Sequence, residues 1–161
     1  ETYTLSDFDD YEALLVVFTC NHCPYAEAKV DELNHLASAY DDLAVVGINP
    51  NDAAEYPDDS FERMQERVDA GEIEYTAYLR DESQEVAHAY GAVCTPDPFL
   101  FERDGDTFRL AFHSRIDDAM SPDEEPSRHE MREAVEALLA GEDVPLAETP
   151  SQGCSIKWTD N

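Results

Sequence analysis

The sequence predicts an α/β domain in which strands and helices alternate along the chain. Short continuous apolar runs, typical of a sheet covered on both faces, alternate with stretches whose apolar residues recur at helical spacing. Turn-forming residues stand at most boundaries between these stretches. No linker is long enough to divide the 161 residues, so we expect residues 1–161 to form a single domain.

The N-terminal half is predicted to contain three strands and two helices. Pro24 can open the first helix because first-turn N–H groups have no partner within the helix. Ser60 can cap the second helix, and Gly71 suits the left-handed position that follows it. The predicted elements are a lead-in strand near Tyr3–Leu5, a strand at Ala13–Thr19, a helix at about Pro24–Ala39, a strand at Leu43–Ile48, a polar loop at Asn49–Asp59 and a helix from Ser60 to Ala70.

The C-terminal half is predicted to contain a short strand, a short helix, a hairpin and a last helix. Asp104-Gly105 is a tight hairpin signal, and Ser127 with Glu130 forms a capping box for the last helix. The predicted elements are a strand at Tyr75–Leu79, a helix at Glu82–Tyr90 closed by Gly91, strands at Pro98–Arg103 and Thr107–His113, and a last helix ended by Gly141. The tail, residues 142–161, carries Ile156 and Trp158, so we expect it to dock on the domain.

The most informative motif is Cys20-Asn21-His22-Cys23, which stands between a predicted strand and a helix N-terminus. Free N–H groups and the helix dipole at such a place favour a thiolate, and the thiolate is the nucleophile of disulfide exchange. We therefore expect Cys20 to attack and Cys23 to resolve, with no cofactor. His22 is either an exposed loop residue or a group that lowers the pKa of the Cys20 thiol.

The net charge of the chain limits the classes of partner that we expect it to bind. The chain carries 38 acidic and 10 basic residues, a formal net charge of -28, with the acids spread over every segment. Such a surface repels nucleic acid, and no apolar run is long enough to cross a membrane. Dispersed acids on a folded surface indicate adaptation to molar salt, where charges are screened within ~3 Å. We expect a cytoplasmic location, although the chain opens at Glu1 rather than Met, so an upstream signal or anchor is compatible with it.

The order of elements, with an early Cys-x-x-Cys and a late hairpin, resembles the thioredoxin fold, a three-layer α/β/α sandwich with a mixed central sheet. Val93-Cys94-Thr95-Pro96 before the hairpin strengthens the match. By this resemblance Pro96 is the cis-proline that faces the cysteines, and the peptide groups of Thr95 pair with an extended substrate backbone. The implied partners are protein or small-molecule disulfides and a thiol electron donor.

Further motifs narrow the resemblance to a peroxiredoxin-like redoxin group of the alkyl hydroperoxide reductase/thiol-specific antioxidant superfamily. They fall in order over nearly the whole chain: Thr4-Leu5-Ser6-Asp7-Phe8, Phe18-Thr19-Cys20-Asn21-His22-Cys23-Pro24-Tyr25, Tyr56-Pro57-Asp58-Asp59-Ser60-Phe61, Tyr90-Gly91-Ala92-Val93-Cys94-Thr95-Pro96-Asp97 and Gly153-Cys154-Ser155-Ile156-Lys157-Trp158.

Thiol peroxidase activity is an alternative that this group implies. A peroxidatic cysteine follows Pro-x-x-x-Thr-x-x, but Val17 and Ala13 stand at the Thr and Pro positions before Cys20. Before Cys23 those positions hold Cys20 and Val16. Dithiol exchange is therefore favoured, although Arg115 could supply a guanidinium near the site.

Metal binding is the other alternative. The Cys-x-x-Cys could be half of a zinc site, but Cys94 and Cys154 lack the spacing of a second ligand pair. A soft metal such as Cu(I) could instead bind Cys20, Cys23 and a downstream histidine such as His113. For Cys94 we favour a packing role over a third thiol at the mouth of the site.

Overall fold

The computed structural model describes residue 3 and residues 5–119, 121–151 and 153–159. Within these residues the strands are β1 (Ala13–Phe18), β2 (Leu43–Asn49), β3 (Ala77–Arg80), β4 (Cys94–Thr95), β5 (Asp97–Asp104), β6 (Thr107–His113) and β7 (Cys154–Ser155). Five of them form the central sheet in the order β3-β2-β1-β5-β6, and β4 pairs separately with β7. The last predicted hairpin is confirmed, with β5 and β6 turning at Gly105.

The sheet is mixed, as predicted. Strand β1 runs parallel to β2 and antiparallel to β5, while β2 and β3 are parallel and β5 and β6 antiparallel. Every residue of β1 and β2 is buried, because helices cover both faces of the sheet. Successive side chains of a strand point to opposite faces, so β1 contributes to two separate cores.

The helices are α1 (Pro24–Glu27), α2 (Val30–Ala39), α3 (Phe61–Asp69), α4 (Glu85–Tyr90) and α5 (Glu130–Leu139), with 3-10 turns at Leu5–Phe8 and Pro57–Asp59. Side chains of α2 and α5 pack against Leu15 and Val17 on one face of β1. Ala87 of α4 packs on the opposite face with Leu14 and Val16. The predicted arrangement of a sheet between two helical layers is confirmed.

The first predicted helix is in fact two. The chain tightens at Lys29, whose N–H donates to the carbonyl of Ala26 at 3.0 Å, three residues back, before α2 begins. The Lys29 ammonium contacts Asp117 and donates to the carbonyl oxygen of Ala119 at 2.9 Å. This break separates the short α1, which follows the cysteine motif, from the longer α2.

Two other elements begin later than predicted, because side chains replace backbone partners. The hydroxyl of Thr76 accepts from the N–H of Val45 at 3.0 Å, so the β3 ladder starts only at Ala77. The carboxylate of Asp81 accepts from the N–H of Ala87 at 2.8 Å, and α4 starts at Glu85 rather than Glu82. The predicted lead-in strand lies partly outside the described residues, and its end, Leu5, belongs to a 3-10 turn.

The two predicted caps have different outcomes. Ser60 caps α3 as expected, with its hydroxyl accepting from the N–H of Arg63 at 3.2 Å. The capping box at Ser127 is wrong, because α5 begins at Glu130 without a side-chain cap. Ser127 instead donates its N–H to Asp118 at 2.8 Å, so its backbone belongs to the loop before the helix.

Residues of the C-terminal tail pack against the rest of the chain. Ile156 is 3% exposed, and the Trp158 ring stacks on His88 with 4.2 Å between ring centroids. Strand β7 of the tail runs antiparallel to β4, beside the cysteine motif. Among the described residues, no helix has the length and apolar character needed to cross a membrane.

Candidate active site

The cysteine motif lies where β1 ends and α1 begins, as the sequence predicts. Cys20 and Cys23 are 2% and 1% exposed and pack with Ala26 in a small cluster of their own. Cys154 of the docked tail contacts the same cluster and is more exposed than either of them. The two cysteines of the motif and the distant Cys154 therefore meet at one end of the sheet.

The disulfide in the structure joins Cys23 to Cys154, across a sequence separation of 131 residues and a Cα–Cα distance of 6.3 Å. Cys20 is a free thiol. The small Cys20–Cys23 disulfide expected from the sequence is therefore not the one present. The physical reason is the tail: β7 brings Cys154 alongside Thr95, whose carbonyl oxygen lies 3.7 Å from the Cys23 sulfur.

Cys20 is held beside the same threonine. Its Sγ lies 3.4 Å from the hydroxyl oxygen of Thr95, and either group can donate the hydrogen bond. Burial raises the pKa of the Cys20 thiol above its ordinary value, the hydrogen bond from Thr95 lowers it, and the charge of Asp59 raises it further. Burial, the largest of these effects, therefore opposes the Cys20 thiolate that the helix N-terminus was expected to favour.

A buried carboxylate that the sequence did not single out lies at the centre of this region. Asp59 is fully buried and accepts a hydrogen bond from the N–H of Asn21 at 2.6 Å. It also accepts from the side-chain amides of Asn49 and Asn51, both at 3.1 Å. These three donors compensate the cost of burying the charge.

His22 lies between this carboxylate and the solvent. Its ring stacks on Tyr56 with 5.3 Å between centroids, and its side chain is 24% exposed. Nδ1 contacts the Asp59 carboxylate, but the contact lacks the geometry of a hydrogen bond. One ligand-type atom from each of Cys20, His22 and Asp59 lies within 4.8 Å of the others. His22 is therefore part of the site, through Asp59, and not a free loop residue.

The segment predicted to bind substrate is occupied by the chain's own tail. The Thr95–Pro96 peptide bond is cis. Thr95 pairs with Cys154 and Cys94 with Ser155 in the β4–β7 ladder. The backbone groups that the resemblance assigns to a substrate strand thus contact residues of the tail.

Cys94 and Arg115 form contacts that differ from those of Cys20 and Cys23. Cys94 is half-buried with its Sγ 3.9 Å from the carbonyl oxygen of Pro96, and burial together with the charge of Asp97 raises its pKa to about 11. Such a thiol is a poor nucleophile at neutral pH, in keeping with the packing role. Arg115 donates to Glu130 at 2.6 Å, so its guanidinium is committed to the start of α5 and not to the cysteines.

The predicted metal sites do not match the arrangement of side chains. His113 bonds Asp97 at 2.7 Å and stacks on Phe99, and Cys23 is in a disulfide. The group that the described residues do bring together is Cys20, His22 and Asp59. Cu(I) prefers thiolate and thioether sulfur, so one thiol with a raised pKa and a carboxylate suit it poorly. Thiol chemistry is the better match to this site.

Sequence reasoning treated residues 49–59 as a polar loop and so missed the Asp59 network. One usable signal was present. Asn49 ends β2 and Asn51 stands two residues later, after a run at Leu43–Ile48 that has no polar side chain. Amides at the end of a buried strand often bind a buried partner, because buried polar groups need hydrogen bonds.

The architecture and site define a thioredoxin-like α/β protein, and the comparisons with known proteins agree. The chain belongs to the AhpC/TSA family, whose sequence model matches residues 1–107. A comparison with curated proteins gives no match.

Three solved structures illustrate the likeness. A hypothetical protein from Sinorhizobium meliloti 1021 is 42% identical with a TM-score of 0.90, covering 99% of this chain and 86% of that one. An uncharacterized conserved protein from Geobacillus kaustophilus is 41% identical with a TM-score of 0.87, covering 98% and 82%. A putative thioredoxin from Neisseria meningitidis is 16% identical with a TM-score of 0.63, covering 89% and 84%, and this likeness concerns the fold.

Proposed function

We propose that this protein is a thiol–disulfide oxidoreductase in which Cys20 attacks and Cys23 resolves. The observation that carries the proposal is the contact between a free thiol and a disulfide: Cys20 packs in one buried cluster with Cys23 and Cys154. Membership of the AhpC/TSA family supports a redox function of thiols in general. The proposed substrates are protein or small-molecule disulfides, with a thiol as electron donor.

In the proposed reaction, the Cys20 thiolate attacks one sulfur of a substrate disulfide, and the other substrate sulfur leaves as a thiolate. Cys23 then attacks the Cys20 sulfur, and the bound substrate sulfur leaves in turn. The substrate disulfide is reduced to two thiols while the protein dithiol is oxidised to a disulfide. Because Asp59 and His22 lie within 4.8 Å of the Cys20 sulfur, they are placed to take up and return its proton.

The test is reduction of insulin disulfides in molar KCl, with dithiothreitol as donor. We expect Cys20→Ser to abolish catalysed reduction, and Cys23→Ser to accumulate mixed disulfides on Cys20. Cys94→Ser is the matched control, because Cys94 forms no disulfide and its sulfur lies 3.9 Å from the carbonyl oxygen of Pro96. Normal turnover by the Cys20→Ser variant would refute the assignment of the attacking thiol.

A peroxide arm of the same experiment addresses the alternative of thiol peroxidase activity. Residues Ala13 and Val17 of β1 are buried core residues at the positions where the peroxidatic motif has Pro and Thr. We therefore expect hydrogen peroxide to be consumed much more slowly than insulin disulfides are reduced. Faster turnover with peroxide than with insulin would replace this proposal with a peroxidase.

A further inference from the structure

We infer that Cys154 is a third redox-active cysteine, which takes over the disulfide from the Cys20–Cys23 pair. The oxidised protein then rests with Cys23 bonded to Cys154 and with Cys20 free, which is the arrangement in the structure. This inference rests on the proposed function and deepens it, because it names where the oxidised state resides.

The tail holds Cys154 as a substrate strand would be held. β7 is antiparallel to β4, and Cys154 is the residue opposite Thr95. The N–H of Ile156 extends this pairing by donating to the carbonyl of Val93 at 3.1 Å. Gly153 permits the close approach, since a Cβ there would lie 2.2 Å from the carbonyl oxygen of Thr95. The tail is therefore an internal partner that offers its sulfur directly to Cys23.

Hydrogen bonds hold the tail on the N-terminal side of Cys154. The N–H of Thr149 donates to the hydroxyl of Ser114 at 2.7 Å. The carbonyl of Thr149 accepts from the N–H of Arg115 at 2.8 Å. These bonds do not involve the disulfide.

Hydrogen bonds also hold the tail on the C-terminal side. The N–H of Lys157 donates to the side-chain oxygen of Asn51 at 2.9 Å, and its carbonyl accepts from the N–H of Asp52 at 2.8 Å. The side chain of Gln84 accepts from the N–H of Thr159 at 3.1 Å. Because the tail is anchored on both sides, a disulfide is not needed to dock it, and Cys154 stays beside Cys23 when all three cysteines are reduced.

The step is an internal exchange with no net oxidation. The Cys154 thiolate attacks the Cys23 sulfur of a Cys20–Cys23 disulfide, the Cys23–Cys154 bond forms, and the Cys20–Cys23 bond breaks. Cys20 leaves with the electron pair and takes a proton, for which Asp59 and His22 are the nearby acid–base groups. The exchange returns the nucleophile Cys20 to its thiol form and moves the disulfide to Cys154, the most exposed of the three residues.

Disulfide mapping tests the inference. The fully reduced protein is oxidised with glutathione disulfide in molar KCl, quenched in acid, alkylated after denaturation, digested and examined by mass spectrometry. We expect a linked Cys23–Cys154 peptide from the wild type, with Cys20 alkylated, and a linked Cys20–Cys23 peptide from Cys154→Ser. Cys94→Ser is the matched control and should give the wild-type map. A Cys20–Cys23 link as the main product of the wild type would overturn the inference.

A second measurement distinguishes a redox role of Cys154 from a purely structural disulfide. It also distinguishes failure of this inference from failure of the proposed function. Wild type and Cys154→Ser are equilibrated with glutathione buffers, and unfolding in urea verifies that both are folded. We expect both to exchange, with equilibrium constants that differ at least tenfold. Equal constants would overturn only the inference about Cys154 and would leave the proposed function standing. The same conclusion would follow if the disulfide of Cys154→Ser equilibrated with glutathione and the wild-type disulfide did not. Failure of both proteins to exchange with glutathione or insulin would overturn the proposed function itself.

Discussion

Replacing Gly153 by alanine is the sharpest test of how the tail meets the cysteine motif. The added Cβ would lie 2.2 Å from the carbonyl oxygen of Thr95, although Cβ atoms in proteins essentially never approach closer than 3.0 Å. The two backbones must therefore separate by roughly 0.8 Å, at the residue next to Cys154. We expect this separation to weaken the β4–β7 pairing and to move the Cys154 sulfur away from Cys23.

The expected loss of stability in Gly153→Ala has two contributions. Forcing an extra carbon into a packed contact costs about 1–3 kcal/mol, and this loss should appear in the fully reduced protein. In the oxidised protein the variant also loses part of the constraint from a disulfide that spans 131 residues. By the chain-entropy relation, closing a loop of that length is worth about 5 kcal/mol. The deficit of Gly153→Ala should thus be larger in the oxidised state than in the reduced state.

The assay is urea unfolding of reduced and oxidised protein in molar KCl, combined with disulfide mapping of the oxidised sample. Gly141→Ala is the matched control, because Gly141 has a φ of +77° and open space where an added Cβ would lie. That variant should lose about 1 kcal/mol from the left-handed backbone conformation and keep the Cys23–Cys154 disulfide. A Gly153→Ala protein with wild-type stability in both states and an unchanged disulfide would refute the close packing of the tail.

Three other perturbations have definite expected outcomes. Asp59→Asn should lower the pKa of the Cys20 thiol, because the substitution removes a charge that raises it. It should also cost about 1–3 kcal/mol of stability, because the Asn side chain does not match the hydrogen-bond donors around Asp59. Alkylation of the reduced protein as a function of pH measures the pKa, and an unshifted profile would contradict the prediction. In the wild type, because the pKa of Cys20 lies above the ordinary 9.0, disulfide exchange should keep accelerating as the pH rises toward and past 9, whereas a plateau near pH 7 would be inconsistent with a buried thiol. The thermal midpoint should rise steeply from 0.1 M to molar KCl, as the screening length falls from about 10 Å to ~3 Å; an equal midpoint in both buffers would remove the interpretation of a salt-adapted surface.

The salt prediction has a structural basis in how the few basic residues are used. Among the described residues, three of the buried carboxylates pair with a lysine or an arginine: Asp117 with Lys29, Glu32 with Arg132 and Glu130 with Arg115. Other arginines pair with surface carboxylates, as Arg67 does with Glu27 and Glu72. With 38 acidic residues and only 10 basic ones, however, the surface acids far outnumber the available basic partners. Their mutual repulsion is what added salt is expected to screen.

Much of the architecture was predictable because it depends on local chemistry. The continuous apolar runs of β1 and β2 are buried on both faces, and the Asp104-Gly105 turn joins β5 to β6. The position of Cys20 and Cys23 between a strand and a helix was predictable for the same reason. Errors occurred where a side chain from elsewhere took the place of a backbone partner, as Thr76 does at the start of β3.

The sequence by itself thus determined the alternation of strands and helices and the placement of the cysteine motif, since periodicity and turn residues act over a few positions. Only the tertiary structure decided that Cys23 pairs with Cys154 rather than with Cys20. It alone placed Asp59 against the N–H of Asn21, 38 residues away. Both contacts join segments that are distant in the chain, and their geometry is set by how the strands β4 and β7 and the loop before α3 pack together, which no local pattern encodes.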